Sequence, residues 1–211
     1  MKVFVAKILI VAAMALAGVS AGARSASEFF ASAPDNVIRL LPQSTRLDML
    51  DYFNYGSTRA SANSFQGEAR MTAVSDATVS FDLDKGVEMQ IAVLPAAKDT
   101  VVALVTTLHM PVPDSYIEFY NTAWQPLGKA PMTMPAYDAW LTPEGLAART
   151  DVELQLPFMP VSATFDRDAR VLKLTNEAPM YLEDKKADEM ADKLVGSMVY
   201  DVAGGKFTLR K

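Results

Sequence analysis

The residue types that most often carry chemistry are scarce in this chain. Its 211 residues include one histidine, His109, and no cysteine. A metal centre with two imidazoles and a Cys-His nucleophile are therefore both excluded. A Ser-His-acid triad would have to use His109, with Ser115 the nearest serine beyond it in the following strand; the expected strand register turns Ser115 to the opposite face. The remaining candidates are carboxylates and aromatics. Asp48 and Asp51 are three apart on a predicted helix, so both carboxylates can point the same way and hold a metal or act as acid and base. The simpler role for them is a solvated face near a helix start, where acids favour the dipole and Arg46 can pair with them. Asp114, Glu118, Asp48 and Asp51 permit a glycosidase-like carboxylate pair, as any acidic chain does. Tyr116, Tyr120, Trp124, Tyr137 and Trp140 can stack on sugar rings or a peptide, or simply cover a proline-rich crossover. Gly204-Gly205-Lys206 lacks the spacing of a phosphate loop and reads as a hairpin turn. No cofactor and no metal is expected.

These residues are positioned by the stretch from Thr100 to Trp124. Val101 to Met110 is rich in β-branched residues and apolar on both sides at its start, as in a strand covered on both faces. Pro111, Pro113 and Asp114 favour a turn, so Ser115 to Trp124 is expected to return antiparallel. Pairing Met110 with Ser115 places Leu108 opposite Ile117 and Thr106 opposite Phe119 on a core side. It places His109 opposite Tyr116 and Thr107 opposite Glu118 on a polar and aromatic side, with Tyr120 and Trp124 further along. That side is the expected site, and His109 and Glu118 become diagonal neighbours able to form an ion pair.

Upstream, Lys2 and Lys7, an apolar run from Ile8 to Val19 and small residues through Ala23 form the pattern of a secretory signal peptide over residues 1–23. The apolar run is shorter than the roughly 20 residues of a spanning helix, and no later stretch is a candidate span. Cleavage leaves 188 residues, the size of one globular domain. Two of the 20 basic residues fall in the leader, so 18 basic residues face 25 acidic ones, a formal charge of −7. That balance argues against nucleic acid as a partner. The expected location is periplasmic, cell-surface or secreted.

The rest of the chain reads as α+β. Ser25 to Ser32 is a short helix, and Ser44 caps a second over Thr45 to Tyr55, ended by Gly56. Met71–Ser75, Thr78–Leu83 and Val87–Leu94 form a meander that feeds the central hairpin. Four prolines interrupt the chain between Gln125 and Pro143, and Thr142-Pro143-Glu144 opens a single helical turn. Val152, Leu154, Leu156 and Phe158 alternate like a strand. Val161–Phe165 and Val171–Leu174 form a hairpin around Asp166-Arg167-Asp168. Leu182 to Val195 is a helix on the spacing of Ala187, Met190, Ala191 and Leu194. Met198–Val202 and Lys206–Leu209 form the last hairpin. Together these give an antiparallel meander of about eight to ten strands, with short N-terminal helices and one helix near the C-terminus packed on the sheet; a β-sandwich or partly open barrel is the alternative.

Leu41-Pro42 with Arg46-Leu47-Asp48-Met49-Leu50-Asp51-Tyr52, then Asp114-Ser115, Phe119-Tyr120 and Trp124, and finally Gly205-Lys206-Phe207, resemble a family of exported proteins of Bacteroides-like bacteria, a domain of unknown function. The resemblance spans nearly the whole chain after the leader. It implies an envelope or secreted role and brings no catalytic residues. Related sequences carry Trp two residues before the Gly of the last hairpin, where this chain has Ala203 and its neighbours. Two functions follow as expectations. One is a non-enzymatic module that binds a peptide, glycan or protein through the face carrying His109, Tyr116, Glu118, Tyr120 and Trp124. The other is a carboxylate-dependent hydrolase, of glycosidase or esterase type, that uses Asp48, Asp51 or Glu118.

Overall fold

Alternation with a period of two between Thr78 and Leu94 builds the centre of a six-stranded antiparallel sheet in the computed structural model, which describes residues 24–94 and 99–210. The leader read over residues 1–23 lies outside the described residues. The strands β1 (Ser61–Ala62), β2 (Glu68–Val74), β3 (Thr78–Asp84), β4 (Val87–Leu94), β5 (Val101–Leu108) and β6 (Asp114–Tyr120) lie side by side in chain order. A second antiparallel sheet takes β7 (Val161–Phe165), β8 (Val171–Asn176), β9 (Ser197–Ala203) and β10 (Lys206–Leu209), in the order β10-β9-β8-β7. The α+β class and the meander are as the sequence implies, and the described strands close no barrel. They divide between two sheets instead of forming one.

Each face of the first sheet has its own cover. Val79, Phe81, Met89, Ile91, Val102 and Leu104 pack against α1 (Ala26–Ser32) and α2 (Gln43–Asn54). α1 is started by a capping box in which Ser25 and Glu28 satisfy each other's backbone N–H, and its Phe30 ring lies 4.8 Å from that of Phe81. On the other face Ala92, Ala103, Val105 and Phe119 meet Ala163, Phe165, Leu172 and Leu174 of the second sheet. α2 begins at Gln43, after Pro42, two residues earlier than a Ser44 cap would allow. Arg46 is 1% exposed and turns away from the neighbouring acids of its helix; it donates to the carbonyls of Ala33 and Leu41 and pairs with Asp35 at 3.1 Å.

Three local expectations are corrected. The stretch around Val152 is a helix, α4 (Arg149–Gln155), which follows α3 (Pro143–Ala147) and its Thr142 cap. Val152 and Leu156, four apart, are buried, whereas Leu154 is 79% exposed. An every-other-residue pattern contains an i, i+4 stripe, and Arg149 reinforces the helix through Glu153. The helix expected over Leu182 to Val195 is broken into α6 (Asp184–Met190) and a 3₁₀ turn, after a short α5 (Ala178–Tyr181). Leu194 is drawn out straight because it bridges Leu141, with Val195 N–H donating to the Trp140 carbonyl. The register of the central hairpin is shifted by three: Thr107 pairs with Ser115, and Thr106 with Tyr116. An odd shift exchanges the faces, so Ile117 and Phe119 turn to the second sheet and Tyr116, Glu118 and Tyr120 to the helix side.

Two stability outcomes follow. Leu156→Ala is expected to cost about 2–4 kcal/mol in denaturant unfolding and Leu154→Ala about 0.5 kcal/mol or less; equal losses would restore the strand reading. Gln90 accepts from the Phe165 N–H at 2.7 Å and donates to the Phe165 carbonyl at 3.1 Å. Gln90→Leu leaves both backbone groups without these partners and is expected to cost about 2–4 kcal/mol. A loss no larger than that of Ser80→Ala, which removes only the bond from Gln90 to Ser80, would show that this contact does not join the sheets.

Candidate functional site

The helix layer does not reach the hairpin end of the first sheet. The segment from Pro34 to Leu41, held to α2 by Arg46, borders an open groove of about 390 Å³. Its floor is Val87, Met89, Thr106 and Leu108, with Leu83 at one side. Tyr116, Glu118 and Tyr120, alternate residues of β6, form one wall, and Asn36, Val37 and Arg39 the other. Tyr116 is 50% and Leu108 47% exposed. Thr106 is 5% exposed and its Oγ1 has no hydrogen-bond partner. The groove therefore combines an aromatic ring, aliphatic floor, a carboxylate, a guanidinium and an unsatisfied hydroxyl.

Of the residues singled out in the sequence, this groove gathers Tyr116, Glu118 and Tyr120. Trp124 is in the core, 6% exposed, with its ring edge-on to Phe29 and Tyr120. Tyr137 and Trp140 are also fixed within the fold: the Tyr137 hydroxyl donates to the Leu156 carbonyl, and Trp140 is 1% exposed. His109 lies past the end of β5, and its Nε2 is 3.4 Å from Glu88 Oε2. Glu118 is not its partner, because the register shift moved that acid to the other face. His109 and Glu88 border a cleft of about 230 Å³ between the sheets, where Thr107, Ser162 and Glu177 also lie. The serine lining it is already engaged, since Ser162 donates to Glu177, and Ser115 nearby bonds Thr107 and accepts from the Ala163 N–H. Asp48 and Asp51 are exposed on α2, which packs beside β1 and β2. Glu118 lies four strands away, about 19 Å at ordinary strand spacing, so it forms no carboxylate pair with them. Among the described residues no three His, Asp or Glu side chains converge as metal ligands.

Sequence reasoning assigned Thr106 to the core and passed over Asn36 and Arg39. The correct register, set by contacts with the second sheet, is what returns Thr106 to the groove; no local signal marks Asn36 and Arg39.

Burial pushes the Tyr120 hydroxyl up to about 12, and the Glu118 carboxylate acts in the same direction. A tyrosine whose folded value lies above its unfolded value of 10.0 favours the folded state below that pH and loses this contribution as pH rises toward 12. Stability of the wild type is therefore expected to fall between pH 10 and 12 more steeply than that of Tyr120→Phe. The near-ultraviolet difference titration between the two proteins should show one late tyrosine, moved down but not to its ordinary value by Glu118→Gln. A difference spectrum that titrates normally in the wild type would place Tyr120 in solvent.

The fold has a solved counterpart. It is similar to a domain of an uncharacterized protein from Porphyromonas gingivalis W83, with a TM-score of 0.73 and 19% identity over 87% of this chain and 96% of that one. At that identity the likeness concerns the fold alone. No curated protein matches the chain. Residues 18–207 match the family described as "Protein of unknown function (DUF3256)", and the chain belongs to that family.

Proposed function

We propose that this chain is an exported, non-enzymatic binding module that takes a peptide, a glycan or a segment of a protein partner into the groove beside β6. The observation that carries this reading is the buried, unpartnered Thr106 hydroxyl on the floor of an open groove walled by the half-exposed Tyr116 ring. An unsatisfied buried hydroxyl costs about 1–3 kcal/mol, so a ligand group that bonds it recovers what the free protein lacks. Tyr116 offers a rigid amphipathic surface with little entropy to lose, and Glu118 and Arg39 supply opposite charges at the rim. Export is supported by the leader pattern of residues 1–23.

The test is array binding with peptides and glycans, followed by titration of each hit against wild type, Tyr116→Ala and Thr106→Val. Tyr116→Ala is expected to weaken binding about tenfold or more, and Thr106→Val by a comparable factor with the melting temperature maintained. Hits that bind all three proteins equally would remove the groove as the site. Trp124→Ala is unsuited to this purpose, since it opens a cavity beside Phe29 and Tyr120.

A further inference from the structure

We propose a second binding site, for a neutral polyhydroxylated ligand of about one sugar unit, in the hollow between α2 and the β1 edge of the first sheet. Thr45, Asp48 and Tyr52 fall at i, i+3 and i+7 and form one stripe of α2. They face the segment Arg59–Ala62 across a hollow of about 280 Å³, near the lower bound of small-molecule pockets at ~300 Å³. The neighbouring stripe, with Arg46, Met49, Leu50 and Phe53, packs inward. The helix thus keeps its polar stripe for the hollow.

Ser61 supplies the second observation. It pairs with Ala69 across the β1–β2 ladder, so its side chain rises on the helix side of the sheet, and it is 9% exposed with no partner for its Oγ. A hydroxyl held just beneath the surface of a polar hollow that bonds nothing in the protein is a hydrogen-bonding position that a ligand seated there can take up with a small side-chain adjustment. Around it, the Arg59 guanidinium lies 5.4 Å from the centre of the Tyr52 ring, which steadies it without using its N–H donors. Among the described residues the ion pairs engage neither Arg59 nor Asp48.

The donor and acceptor set defines the ligand class. Asp48 only accepts, Arg59 only donates, and the hydroxyls of Thr45 and Ser61 do both. An anion would meet the Asp48 carboxylate and a cation the Arg59 guanidinium. Adjacent hydroxyls on a neutral ring donate to the first while accepting from the second. The site is independent of the groove beside β6, since it lies at the other edge of the sheet.

The test is titration of the isotopically labelled protein with methyl glucoside, methyl mannoside, methyl galactoside and N-acetylglucosamine, with glycine as a zwitterionic control. At least one sugar is expected to shift the amides of residues 59–62 saturably, with Kd about 1 mM. Ser61→Ala and Asp48→Asn should each weaken this about tenfold. Ser61→Ala should keep or raise the melting temperature, because it deletes an unpartnered buried group, and Tyr116→Ala should leave sugar binding unchanged. Absence of saturable shifts with every sugar, saturation by glycine alone, or wild-type affinity in both hollow variants would each overturn the proposal.

Discussion

The free edge of β7 is closed by side chains, and most of the architecture depends on that closure. Val161, Ala163 and Phe165 direct their N–H groups away from β8, where an edge strand would ordinarily offer them to water or to another chain. Here Asp114 Oδ1, Ser115 Oγ and Gln90 Oε1 accept them, at 3.0, 3.0 and 2.7 Å. Gln90 also donates to the Phe165 carbonyl, so its amide replaces one residue of a missing neighbouring strand. These bonds fix where the second sheet meets the first, and they require Gln90 and Ser115 to point to that sheet. Strand geometry then leaves no freedom: the residues between, Tyr116 and Glu118 included, face the other way.

On that other face, the helix layer is held by a different polar anchor. Arg46 is buried under the turn that joins α1 to α2, and its guanidinium reaches the carbonyls of Ala33 and Leu41 at the two ends of that turn. A planar fork can bind two fixed acceptors at once, which the point charge of a lysine does less well. The turn so held carries Asn36, Val37 and Arg39 to the border of the groove. The groove is therefore shaped by two polar devices, one on each side of the first sheet, and its apolar floor is simply the part of the meander that neither cover reaches.

Much of this fold was legible in the sequence, and the failures have a common cause. The β3–β4 alternation, the Thr142 cap and the hairpins of the second sheet depend on neighbours within a few residues, and they appear as read. The β5–β6 register depends on Ser115 reaching β7, almost 50 residues later in the chain, and no local pattern records it. The helix ending before Leu194 stops because that residue bridges Leu141. The α4 stretch failed for another reason: a short amphipathic run with residues two apart satisfies both periods, and tertiary packing chose the helical one. The candidate site was legible to the same extent. Tyr116, Glu118 and Tyr120 were grouped correctly because they alternate within one strand, whereas Trp124 and His109 were grouped with them through a register that the second sheet overrules.

Unpartnered polar atoms, like aromatic residues, occur in this molecule both within the packing, as at Arg46 Nε and Trp124 Nε1, and beside the hollows, as at Thr106 and Ser61. Tryptophan and tyrosine clusters occur both in the core, as at Trp124 with Phe29, and in the groove, as at Tyr116, so aromatic content alone does not discriminate. The side-chain atoms left without a partner include Trp124 Nε1, Thr106 Oγ1 and Ser61 Oγ. The indole nitrogen is carried by a large ring whose apolar burial, about 1.5–3 kcal/mol for a large side chain, offsets an unmade bond. A threonine or serine hydroxyl brings no comparable compensation; valine or alanine in its place would fill the same space without the unmet bond. Thr106 and Ser61 nonetheless each contribute to the lining of a hollow, with the hydroxyl just beneath its surface. Two hydroxyls that cost stability where they stand, one towards each edge of the first sheet, are the physical ground on which binding is proposed there.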